Sequence, residues 1–80
     1  RKRKELKMEN FPNRKIVAKL REKYPEGCRV ELVKMDDKYA PPIGTKGTVS
    51  FVDDTGSVFV NWDTGSGLAV VYGKDKCRRV

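Results

Sequence analysis

From Asn13 to Tyr24 the apolar positions recur at helical spacing, and Ile16, Val17, Leu20 and Tyr24 fall on one stripe. Asn13 is a suitable N-cap, and Pro12 prevents continuation from upstream. Tyr24-Pro25-Glu26-Gly27 is a strong stop signal. A helix of about ten residues is too short to be stable alone in water, so the stripe must pack on something. After Gly27 the period changes to two. Cys28, Val30 and Leu32 point one way, and Arg29, Glu31 and Val33 the other, which is the pattern of a half-buried strand. Met35 to Lys46 reads as a long loop, because Pro41-Pro42 excludes regular helix and central strand. Residues 48–52, 57–62, 68–72 and 77–80 read as four further strands. Turn chemistry separates them at Asp53-Asp54-Thr55-Gly56, at 63–67 and at 73–76.

One helix followed by five short, closely spaced strands predicts a mainly β fold. We expect a small five-stranded SH3-like barrel with one N-terminal α-helix, since closure removes exposed sheet edges. The expected organisation is a basic, flexible leader over 1–12, a helix over 13–24 and a barrel over 27–80. Alternation places Cys28, Val30, Leu32, Val49, Phe51, Val58, Val60, Trp62, Leu68 and Val70 in the core. If the opposite face of strand 48–52 points inward, Val52 replaces Val49 and Phe51.

Composition changes this picture mainly through charge. The 80 residues carry a formal net charge of +7. Residues 1–23 hold ten Lys/Arg and three acids, while the other 57 residues balance at eight of each. A basic N-terminal part joined to a neutral body suits a polyanion such as nucleic acid. The helix would present Lys15, Lys19 and Lys23 as a row four apart, with Arg14 and Arg21 flanking the stripe on the other side. About five phosphate contacts would give a log–log salt slope near −4.5 on duplex DNA. The alternative is a solvated helix face. No apolar run approaches a membrane span and no signal peptide is visible, so the expected location is cytoplasmic, without a membrane partner.

The candidate chemistry is sparse. Asp54-Thr55-Gly56 and Asp63-Thr64-Gly65 have the letters of an aspartic peptidase triplet. A dyad needs two carboxylates sharing one proton. These two lie at opposite ends of one short strand, roughly 17–20 Å apart, so they read as hairpin turns and no catalytic residue is expected. Gly44-Thr45-Lys46-Gly47 lacks the spacing of a P-loop and reads as a turn feeding a strand. Two cysteines without a histidine cannot complete an ordinary zinc site, and Cys28 and Cys77 read as small buried hydrophobes. No metal or other cofactor is expected; the acidic pairs 36–37 and 53–54 belong to turns. Trp62 shares parity with Val58 and Val60 and is expected in the core. The loop residues Asp36, Asp37, Tyr39, Pro41, Pro42 and Lys46 form a second candidate site, for a protein partner. Tyr39 there either engages a ligand or folds down to close the barrel.

MDDKYAPPIGTKGTV (Met35 to Val49), preceded by YPEGCRVELV and followed by FVDDTGSVFVNWDTGSGLAVVYGKD, resembles a small bacterial and phage domain known as domain of unknown function family 4314. The resemblance covers about residues 20–80 and rests on Met35-Asp36-Asp37, Tyr39, Pro41-Pro42, Gly44-Thr45, Gly47-Thr48-Val49, Val52-Asp53-Asp54, Trp62-Asp63, Gly65 and Leu68-Ala69. Tyr72 departs from a frequent Pro, and Cys77 from a frequent aromatic. The resemblance implies a stand-alone module of phages and conjugative elements with no established activity. Gly47-Thr48-Val49 and the stretch 58–65 are also similar to SH3-like modules of the KOW kind, which bind nucleic acid or protein and are not enzymes. Together these readings lead to the expectation of a non-enzymatic binding module, either a nucleic-acid accessory or a protein-interaction module.

Overall fold

The computed structural model describes residues 13–80; the leader expected over 1–12 lies outside the described residues. Helix α1 spans Arg14–Lys23. Asn13 caps it, its side-chain oxygen accepting the Ile16 amide at 3.0 Å, as the sequence predicts. Tyr24 closes it, its amide donating to the Leu20 carbonyl. Val17 and Tyr24 are buried, while Ile16 and Leu20 are half-buried, so the predicted stripe is the packed side.

Five strands come after it: β1 (Arg29–Lys34), β2 (Lys46–Val52), β3 (Ser57–Trp62), β4 (Val70–Val71) and β5 (Lys76–Arg79). They form one antiparallel sheet in the order β4-β3-β2-β1-β5. Among the described residues, five antiparallel strands and one helix make the fold mainly β. The sheet does not close. β4 and β5 are its two edges, joined by the turn at 72–75, and no ladder links them. β4 is only two residues long, shorter than the strand expected over 68–72. The Leu68 carbonyl accepts the Trp62 indole N–H at 2.8 Å and is not part of a ladder.

Tyr24, Val30, Leu32, Val49, Val52, Val58, Val60, Trp62 and Val70 form the core on the inner face, with Leu20, Met35 and both cysteines packed against it. Phe51, expected inside, is outside and 52% exposed. The β2–β3 register shifts between Val49 and Phe51: Val49 pairs with Val60, and Phe51 with Phe59. This bulge leaves Ser50 unpaired and reverses the parity of the rest of β2. Val49 and Val52 therefore both point inward, where simple alternation allows only one of them. Two other expected core residues, Cys28 and Leu68, are only half-buried.

Gly47 decides how closely β2 and β3 approach. It faces Trp62 in the register, and a Cβ there would lie 2.5 Å from a Val60 methyl and 2.8 Å from the Trp62 ring. Such a separation is far inside van der Waals contact, so the indole occupies the space a side chain would need. The Gly44–Gly47 stretch is thus a turn leading into a strand, and Gly44, at φ 95°, supplies the left-handed turn residue.

Candidate functional site: a clamped basic helix and an exposed aromatic pair

Three surfaces carry exposed residues of functional interest. The first is the basic side of α1. Arg14, Lys15, Lys19, Arg21 and Lys23 are all exposed, but they are not equivalent. Arg21 holds the helix to the sheet. Its Nε donates to the Val52 carbonyl and its guanidinium pairs with Asp54, both at 3.0 Å. Lys23 lies over the Tyr24 ring, 5.4 Å from its centroid, and its carbonyl accepts the Arg79 guanidinium at 3.1 Å. Lys15 and Lys19 remain as exposed cations on the side of the helix away from Arg21, whereas Arg14 shares the Arg21 side, near Asp54.

The second surface is the 35–45 loop. Asp37 organises it, accepting the Tyr39 amide on its side chain and the Ala40 amide on its carbonyl. Pro41 is buried, whereas Asp36, Pro42 and Ile43 are exposed. Tyr39 does not fold down: it is 73% exposed, with Lys38 over its ring at 5.3 Å. Lys46, assigned to the loop from sequence, is the first residue of β2, opposite Glu31. The loop therefore feeds one end of β2 while Arg21 grips the other, at Val52. By strand rise the two ends are roughly 20 Å apart. The sequence-derived residue sets form two separate surfaces, and Tyr39 is not beside the helix cations.

The third surface is not apparent from strand alternation. On the outer face of β2 and β3, Phe51 and Phe59 stack with ring centroids 4.5 Å apart and planes within 9°. The signal that would have found this pair is the bulge, which alternation by twos cannot reveal.

The two Asp-Thr-Gly triplets are turns. At the first, Asp53 and not Asp54 is the capping residue: its carboxylate accepts the Thr55 and Ser57 amides and the Thr55 hydroxyl. Partial burial opposes its ionisation, but these hydrogen bonds prevail and hold the carboxyl below its ordinary value. At the second, Asp63 makes a two-pronged contact with Arg29 at 2.9 and 2.7 Å. The hydrogen-bonded Arg29 guanidinium lowers the Asp63 pKa. Asp54 and Asp63 precede and follow β3, so they lie at opposite ends of that strand.

An apolar cleft of about 450 Å³ opens where the sheet fails to close, lined mainly by Leu20, Tyr24, Val58, Val70, Tyr72 and Cys77, with Lys23 and Lys76 also on its wall. Burial pushes the Tyr24 phenol up to about 12, and its hydroxyl donates to the Cys77 carbonyl at 3.2 Å. Burial likewise pushes the Cys77 thiol up, away from the reactive thiolate. Both cysteines are free. Among the described residues no cluster of three or more His, Cys, Asp or Glu is placed to hold a metal ion, and no helix is long and apolar enough to cross a membrane.

The chain belongs to the family described as Domain of unknown function (DUF4314), whose profile matches residues 13–80. No curated protein and no solved structure matches it significantly.

Proposed function

We propose that the protein is a non-enzymatic nucleic-acid-binding module, an accessory of a phage or mobile element, that contacts phosphates through α1. The observation that supports this most is the division of labour among the helix cations. Arg21 anchors α1 to Val52 and Asp54, and Arg14, Lys15 and Lys19 are left exposed on the anchored helix. The folded helix fixes the backbone positions of these cations, while their exposed side chains stay free to adapt to a phosphate backbone. The engagement of Asp53, Asp54 and Asp63 in turns and ion pairs supports a binding role over a peptidase.

With Arg21 committed to the fold and Lys23 lying over the Tyr24 ring, Arg14, Lys15 and Lys19 give an expected slope contribution of about −2.7 on duplex DNA. Fluorescence anisotropy across a salt series tests this. Lys15→Gln with Lys19→Gln is expected to make the slope shallower by about 1.8. An unchanged slope and affinity would rule out α1 as the phosphate contact.

A protein-interaction module acting through the 35–45 loop is a second reading, favoured by the exposure of Tyr39 and of Ile43, at 73% and 62%. Contacts of that kind would persist at high salt and be lost in Tyr39→Ala.

A further inference from the structure

We infer that the cleft at the open seam of the sheet is a pocket for an unpaired base, fed by the lysine row of α1, so that the nucleic acid bound is single-stranded. This rests on the nucleic-acid reading above and adds to it a second contact and a strand preference.

The helix itself joins the two parts of this site. Lys15, Lys19 and Lys23 recur every four residues, so they stand on one face, about 6 Å apart along the axis. That spacing is close to the separation of successive phosphates along an extended strand. The row ends at the cleft, where Lys23 lies on the wall together with Leu20 and Tyr24. Arg14 and Arg21 lie on the other side of the helix and line a separate depression with Asp54. A strand whose phosphates follow Lys15 and Lys19 is therefore led to the cleft and away from the Arg21 clamp.

The cleft suits a base joined to a phosphate. Its volume of about 450 Å³ is within the range of small-ligand pockets. Two tyrosines line it: Tyr24, which is buried, and Tyr72, which is 47% exposed and offers ring surface to an entering group. Unpaired bases stack on such rings whatever their identity. The charges at the edge complement phosphate. Lys23 is held over the Tyr24 ring, Lys76 lies on the wall, and the Arg79 guanidinium bonds the Lys23 carbonyl at 3.1 Å. The acid among the lining residues, Asp75, is turned onto the Val71 amide, its carboxylate accepting at 3.0 Å. A polynucleotide is favoured over an isolated apolar anion because the cations continue beyond the cleft as a row. A duplex keeps its bases paired and stacked, so it offers phosphates to the row but no base to the cleft.

The experiment uses the full chain and four probes: a 12-nucleotide oligodeoxyadenylate, the same backbone with abasic sites throughout, a 12-base-pair duplex, and decanoate. The oligodeoxyadenylate is expected to bind more tightly than the abasic strand and the duplex. In amide NMR spectra it should shift Val58, Val70, Tyr72 and Cys77, and the abasic strand should not. Tyr72→Ala and Tyr72→Leu should each weaken its binding about five-fold or more while leaving the abasic and duplex affinities unchanged. Tyr72→Leu keeps an apolar side chain and so separates loss of the ring from any disturbance of the fold, which circular dichroism checks. Equal binding of the three nucleic-acid probes, with the cleft amides unmoved but affinity reduced by Lys15→Gln with Lys19→Gln, overturns the pocket and leaves the phosphate-binding reading standing. A single-strand preference whose shifts map to Phe51 and Phe59 or to the 35–45 loop also overturns the pocket. Cleft shifts with decanoate and none with the oligodeoxyadenylate assign the cleft to apolar anions and overturn it as well. Binding of no nucleic-acid probe overturns both readings.

Discussion

The two faces of β2 and β3 carry similar apolar residues in opposite settings. On the inner face, Val49, Val52, Val58, Val60 and Trp62 are buried, and Gly47 leaves room for the indole. On the outer face, Phe51 and Phe59 stack in contact with solvent, flanked by Ser50, Asn61 and the Arg29–Asp63 pair. The chain is the same, and one unpaired residue separates the two settings. Burial makes a side chain indispensable to stability, because removing it leaves a cavity. Exposure makes a large apolar side chain less important to stability, because truncating it leaves no cavity.

Substitutions on the two faces should differ sharply, and the largest effect lies inside. Trp62→Ala empties the space over Gly47 and orphans the Leu68 carbonyl; chemical denaturation should show a loss of about 3–5 kcal/mol. Gly47→Ala attacks the same contact from the other strand by overpacking and should cost about 1–3 kcal/mol. Similar stability for either variant and the wild type would mean the inner face is not packed as described.

Next comes Tyr24, which joins the helix to the inner face. Tyr24→Phe removes the hydrogen bond to the Cys77 carbonyl and should cost about 0.5–1.5 kcal/mol. It should also abolish the last step of the tyrosinate absorbance titration, expected near pH 12 in the wild type. Burial favours the neutral phenol, so the folded pKa stands above the ordinary one. The contribution of this group to stability is full below the ordinary value of 10 and is lost as pH rises towards about 12.

Phe51→Ala should be milder, under about 1 kcal/mol by denaturation, because it removes one cross-strand pair from an exposed face. A loss as large as that of Trp62→Ala would erase the contrast between the faces.

The smallest effect is expected at Asp63. Its folded pKa is depressed, so its pairing with Arg29 contributes fully above the ordinary carboxyl value of 3.8 and fades as pH falls below it. Asp63→Asn should differ little from the wild type at acidic pH and more at neutral pH, and the difference should shrink in salt.

Much of this was legible in the chain. The stripe Ile16, Val17, Leu20, Tyr24 marked the helix and its packed side, Asn13 its start, and the alternation 58–60–62 the buried face of β3. The Asp-Gly turns marked the hairpins, because their chemistry is local. Three features were not legible. The bulge at Ser50 depends on how β2 meets β3, so it moved Phe51 out of the expected core. The open seam arises from the Trp62 indole taking the Leu68 carbonyl and from the shortness of β4, contacts between segments several residues apart. Arg21 looked like its neighbouring cations until its partners, 31 and 33 residues away, were in place.

The sequence by itself determined the kind and order of the elements, the turns between them and the concentration of positive charge near the N-terminus. These depend on periodicity, on φ preferences and on composition, all properties of neighbouring residues. Only the tertiary structure decided which cations anchor the helix and which face outward, which aromatic is core and which is surface, and that Tyr39 and the helix lie at opposite ends of β2. Those outcomes depend on strand register and on contacts between residues far apart in the chain, where a shift of one residue reverses the face on which a side chain stands.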